Sequence, residues 1–215
     1  MPDTNKIVTK KPPYIESIGA QYYVFNNPSE GTDFDVTSYE ENVTKTENAK
    51  TVTITESTEN TPIYASGKVY DTRNQIAYVD IAVESIAQDA DDLNKMRGDI
   101  TNNNGLIQSQ TAGKRPFFAY GKVVKLSGDN FRLDWYPKCQ LIENSDEART
   151  RGETFEEQNQ NLTIRAYAFD EDGKLFKNSV DSSSAKFPTG LTEAMFFNAP
   201  IITTTDLDNV IPQGT

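Results

Sequence analysis

The side chains best suited to chemistry in this 215-residue chain are one cysteine, Cys139, and 32 Asp and Glu carboxylates. There is no histidine, so Cys–His and Ser–His nucleophile pairs are excluded, together with the commonest transition-metal ligand. A glycosidase needs only two carboxylates at the right separation. Here no pair stands in a recognisable frame, and the carboxylates read as solvated acidic surface. "DEDGK" (170–174) and "DADD" (89–92) could each offer calcium an oxygen or two, but neither has the twelve-residue EF-hand spacing with its closing glutamate. The first reads as a hairpin turn and the second as a helix start. No P-loop or GxGxxG string occurs. Tyr22, Tyr23, Trp135 and Tyr136 could stack sugars or bases, although core and interface packing is the commoner use of aromatics in strands. No residue is assigned a catalytic, cofactor-binding or metal-binding role.

Cys139 belongs to "FRLDWYPKCQL" (131–141), which alternates as a strand does. Strict alternation puts Phe131, Leu133, Trp135, Cys139 and Leu141 on one face and Arg132, Asp134, Tyr136, Lys138 and Gln140 on the other. Cys139 then reads as a small apolar filler, in keeping with the burial habits of free cysteine. Pro137 cannot donate to a ladder, so it marks an edge, a bulge or a kink.

Other strands surround this one. "QYYVF" (21–25), "KTVTITES" (50–57), "NQIAYVDIAVESIAQ" (74–88), "RPFFAYGKVVKL" (115–126) and "NLTIRAYAF" (161–169) all read as strands. In the third, Val79, Ile81 and Val83 oppose Tyr78, Asp80 and Glu84, the pattern of a sheet with one wet side. "SGDN" (127–130) joins two strands into a hairpin, and "DEDG" turns into "KLF". A helix is expected at 89–97, with Asp89, Asp91 and Asp92 at its start, Lys95 and Arg97 at its end and Gly98 as its stop. Ile86, Ala90, Leu93 and Met96 would form its apolar stripe. Thr189 could cap a short helix carrying Leu191, Met195 and Phe196. After Pro200 the chain is expected to run extended.

The apolar content of 36% is modest for this length, so part of the chain should lie outside any core. A net charge of −11 argues against a phosphate-binding surface, which needs clustered Lys and Arg. No run of about 18 apolar residues exists and the first 14 residues lack the apolar middle of a signal peptide, so neither membrane spanning nor export is expected. A lone cysteine agrees with a reducing compartment. From 26 to 60, eight acidic residues accompany only Lys45 and Lys50. The part of that stretch from 31 to 49 is poor in apolar side chains and reads as a long loop.

Six segments carry a resemblance: "PIYASGKVYDT", "IAYVDIAVESIAQDADDLNKMRG", "RPFFAYGKVVK", "WYPKCQL", "SDEARTRGETFEEQ" and "LTIRAYAFDEDGKLF". In this order, over residues 62–176, they resemble the major tail proteins, or tail-tube proteins, of long-tailed siphophages of Gram-positive bacteria. The resemblance implies a mainly β fold, a β-sandwich or split barrel of antiparallel sheets with one flanking α-helix. It divides the chain into an N-terminal arm at 1–15, a β domain at 16–200 holding an acidic loop near 26–50 and a helix near 88–97, and a C-terminal arm at 201–215.

It further implies a virion protein, not an enzyme and without a cofactor, assembled in the host bacterial cytoplasm. Six copies would form a ring whose inner strands join into one barrel, and rings would stack into a tube around the tape-measure protein. Tail terminator and distal tail proteins would meet the tube ends. DNA would pass through without specific binding, and no membrane would be involved. The 31–49 loop and both arms are the candidates for contacts between rings, with the helix outside the lumen and a neutral or acidic strand face lining it. A carbohydrate-binding β-sandwich from a receptor-binding or adhesion protein is the alternative, and a carboxylate hydrolase is a third.

Overall fold

Alternating strands need neighbours to pair with and a face to bury, and here one curled antiparallel sheet meets both needs. The computed structural model describes residues 9–111, 113–145, 148, 150 and 158–212. Most of the quoted "SDEARTRGETFEEQ" segment, residues 1–8 of the N-terminal arm and the last three residues lie outside the described residues. The strands are β1 (Ile15–Phe25), β2 (Thr44–Thr46), β3 (Ala49–Ala65), β4 (Lys68–Ser85), β5 (Ile100–Thr101), β6 (Ile107–Gln108), β7 (Phe118–Leu126), β8 (Asn130–Ser145), β9 (Gln160–Ala166) and β10 (Asn178–Asp181). The helices are α1 (Ala90–Arg97), α2 (Glu193–Phe196) and α3 (Thr204–Val210).

The main sheet runs β2–β1–β7–β8–β9–β4–β3, with β10 also on β8, while β5 and β6 form a separate ribbon. β8 is its spine, pairing β7 and β10 through its first half and β9 through its second. The sheet curls until β3 approaches β1, but the two share no ladder. It is therefore an antiparallel β fold consistent with a sandwich, and it is not closed into a barrel.

Two apolar clusters hold it together. The first fills the inside of the curl, with Tyr23, Phe25, Val79, Ile81, Phe118, Tyr120, Tyr136, Leu141 and Ile164, and is covered by Met96 and Leu93 of α1. The second lies on the other side of β1, β7 and β8, where Val24, Val123, Leu133 and Trp135 meet Leu191, Phe196, Phe197 and Ile201 of the C-terminal segment. Gly121 permits that docking, because a Cβ there would stand 2.6 Å from the Phe197 ring.

Capping fixes the helices where the sequence placed the first of them. Asp89 accepts from the amides of Asp91 and Asp92, and Gly98, at φ 73°, closes the other end. Ile86 is not part of its stripe; it precedes the helix and is exposed. Three other expectations are corrected. Leu175 and Phe176 are not in a strand, because the "DEDG" turn is closed by the Asp170 carboxylate accepting from the amides of Lys174 and Leu175, and the next strand starts at Asn178. Beyond Pro200 the chain does not stay extended: Ile201 is buried, and Thr203 with Asp206 makes a capping box that starts α3. The 31–49 segment is also anchored to the body. β2 pairs β1, the Asn26 amide donates to the carbonyls of Asp35 and Ser38, and Tyr39 donates to the Pro137 carbonyl.

One charged pair is buried inside the curl. Lys122 and Asp134 face each other across β7 and β8 at 2.7 Å, and Ser179 donates to the same carboxylate at 2.5 Å. Burial opposes both charges; at Asp134 the Lys122 ammonium and Ser179 hydroxyl outweigh it and hold the carboxyl below its ordinary value, whereas burial lowers the Lys122 pKa. A depressed carboxyl stabilises the fold above its unfolded pKa and loses that contribution as pH falls through its folded one. Asp134→Asn is expected to cost about 3 kcal/mol in urea unfolding at neutral pH, because it strands a buried ammonium. The Lys122→Met/Asp134→Leu double variant should lose clearly less than that single variant.

Candidate functional site

The one cysteine is built into the body. Cys139 is fully buried in the first cluster, its thiol donating to the Tyr136 carbonyl at 3.3 Å, and burial raises its pKa well above the usual thiol value. It does not share a face with Phe131, Leu133 and Trp135 as strict alternation required. Phe118 and Tyr120 of β7 pair with Cys139 and Tyr136 of β8, so β8 spends one extra residue there. This is a β-bulge at Pro137 and Lys138, and it switches Cys139 and Leu141 to the opposite face. Leu133 and Trp135 therefore pack in the second cluster, while Tyr136, Cys139 and Leu141 pack in the first.

The four aromatics that could have stacked a ligand are also interior. Tyr22, Tyr23, Trp135 and Tyr136 are all buried. Trp135 donates to the Phe196 carbonyl, and Tyr22 stacks on Phe197 at 3.9 Å. Tyr22 donates to Glu193 at 2.5 Å, and burial together with that carboxylate pushes its pKa up to about 12. Among the described residues no three Cys, Asp or Glu side chains converge as a metal site would require.

Two surfaces are left without a task in the body. The first is a projecting hairpin. β4 pairs β9 only from Val79 to Ser85, and beyond that point β3 and β4 pair only with each other, from Ser57 opposite Tyr78 out to Ala65 opposite Lys68. Every side chain from 58 to 72 is exposed. Ser66 and Gly67, both at positive φ, make the two-residue turn whose twist suits a hairpin. Nine residues of β3 and eleven of β4, the latter with bulges, project about 30 Å at the usual strand rise. The tip is apolar: Tyr64 is 67% exposed, Val69 55% and Tyr70 79%, with Ile63 beside them. A lone two-stranded ribbon is marginal in water, and this one buries almost nothing.

The second surface is the outer face of β3, β4 and β9. Register aligns its rows as Thr51–Glu84–Asn161, Thr53–Ala82–Thr163 and Thr55–Asp80–Arg165. None of these nine residues is buried. They carry two carboxylates and one guanidinium, and each charge is held. Arg165 binds Asp80 through Nε and Nη2 at 2.7 and 3.0 Å and lies 3.6 Å from the centre of the Tyr78 ring. Glu84 accepts from Asn159 at 2.6 Å and from Thr51 at 3.2 Å. The face is flat in charge and rich in hydroxyls.

Sequence reasoning found the strands of this face but not the hairpin. The signal was present as Ser66-Gly67 between two β-prone stretches, a turn dipeptide that a two-residue hairpin requires. No protein-family model matches this chain, and no curated protein does either.

The thiol provides a direct check that this region is architecture. Cys139 should not react with a thiol reagent until the protein unfolds, and Cys139→Ala should fold with a stability loss of about 1 kcal/mol. Rapid modification of the native protein would contradict the buried assignment.

Proposed function

We propose that this chain is a structural subunit of a tube, the tail-tube protein of a long-tailed phage, and that its work is assembly rather than catalysis. The observation that carries this reading is the β3–β4 hairpin, solvated on both faces and apolar at its end. Ordering a residue costs about 1–2 kcal/mol of backbone entropy, and little burial within this chain offsets that cost along the hairpin. A second copy that covers the tip would supply it. Tyrosine is also among the residue types that dominate binding energy in protein interfaces.

Two further features support the reading. The outer edge of β3 has no neighbouring strand among the described residues, and such an edge accepts a strand from another chain. A ring of identical copies uses one contact repeatedly and leaves no end. Six copies are taken here, with rings stacking around a tape-measure protein and closed off by terminator and distal tail proteins. The open face of β3, β4 and β9 then lines the lumen. Its neutral to slightly acidic character suits passage of DNA, because a surface that offers phosphates no cations gains no affinity from counterion release.

Negative-stain microscopy of the purified, concentrated protein tests the assembly. Rings or tubes of uniform width are expected, and Tyr64→Ser/Tyr70→Ser should keep the wild-type unfolding midpoint while remaining monomeric. Monomers of the wild-type protein at every concentration would remove the reading.

A further inference from the structure

We propose that Asp80 is a charge mask: it occupies the Arg165 guanidinium so that this face does not hold the phosphates of duplex DNA. The proposal rests on the reading that the β3–β4–β9 face meets DNA, and it adds which residue keeps that face from binding.

Of the nine residues in the three rows of this face, Arg165 is the only Lys or Arg; Lys50 lies at the β3 bulge between Ala49 and Thr51, outside those rows. Arginine is the side chain best matched to phosphate, because its planar fork donates two parallel hydrogen bonds to two oxygens. A carboxylate presents the same pair of oxygens. Register sets Asp80 directly opposite Arg165, and the carboxylate takes that fork through Nε and Nη2. Tyr78, two residues from Asp80 on the same strand, lies under the guanidinium plane. The guanidinium is therefore paired along one edge and covered on one face.

The neighbourhood would otherwise favour phosphate. Thr55 stands in the same row as the pair and Thr163 in the next, both with hydroxyl donors, and most of the face is open to solvent. In an assembly the effect multiplies, because one weak phosphate contact per copy becomes a ladder of contacts along a duplex. Asp80 acts through Arg165 and is a positioning residue.

The test measures binding of a fluorescein-labelled 30-bp DNA duplex by anisotropy across a salt series, with each protein examined both as monomer and in any assembled form. Wild type should bind weakly. Asp80→Asn should bind about tenfold tighter at low salt, with a steeper salt dependence. Asp80→Asn/Arg165→Gln should return to the wild-type value. Glu84→Gln makes the same change in net charge on the same face without releasing Arg165, and it should gain much less. Thr53→Arg places a guanidinium opposite Ala82 on the edge strand β3, where no cross-strand partner is a carboxylate, and should match Asp80→Asn. This variant keeps the question answerable if Asp80→Asn does not fold.

The mask is overturned if folded Asp80→Asn binds no tighter than wild type, if its gain survives loss of Arg165, if Glu84→Gln gains equally, or if Thr53→Arg gains nothing. Microscopy separates this from the tube reading. Tubes with no gain in Asp80→Asn sink the mask alone, while an Arg165-dependent gain in protein that forms no tubes supports the mask and sinks the tube.

Discussion

The structure depends on where backbone and apolar surface in the β sheet can find partners. Strands β1, β7, β8 and β9 find them within the chain, and their side chains fill two clusters on opposite sides of the sheet. The outer halves of β3 and β4 do not. They hold each other through a long ladder, but the side chains from 58 to 72 are exposed, and the most apolar of them sit farthest from the body. A ribbon of that kind is stable when something lies across it, which is why the proposed assembly rests on this unfinished surface.

The rest of the molecule is arranged around that surface. The C-terminal segment seals one side of β1, β7 and β8, with Phe197 seated over Gly121 and against Trp135. α1 closes the inside of the curl through Leu93 and Met96. The Asn26 and Tyr39 contacts fold the 31–49 segment back onto the body. One broad sheet face, on β3, β4 and β9, stays open, and its charges are satisfied by neighbours on the same face. The cysteine and the four strand aromatics are buried, and an apolar projection beside an unpaired edge is what association needs.

Period-two alternation carried most of the fold in the sequence: Val79, Ile81 and Val83 face the core as their spacing required, and Leu162, Ile164 and Ala166 do the same across the ladder. Alternation failed where one residue was added. The bulge at Pro137 moved Cys139 to the other face, and a proline permits a bulge without dictating its phase. The hairpin was hard to see because both its faces are exposed, so its side chains carry no inside and outside pattern. α3 was missed although Thr203 and Asp206 spell a capping box, since the Thr-rich run before it is β-prone. The 31–49 segment is held by side chains bonding to distant carbonyls, contacts that local composition does not reveal. Asp80 and Arg165 are 85 residues apart, and only the register between β4 and β9 makes them a pair.

Amide hydrogen exchange across a concentration series tests the central claim most directly. The account predicts that in dilute protein the backbone amides of residues 58–75 exchange fast while those of β8 are protected. Protection of the hairpin should then rise with concentration, together with the appearance of rings. Hairpin amides that are as protected in dilute monomer as in concentrated protein, or that stay unprotected at every concentration, would contradict it.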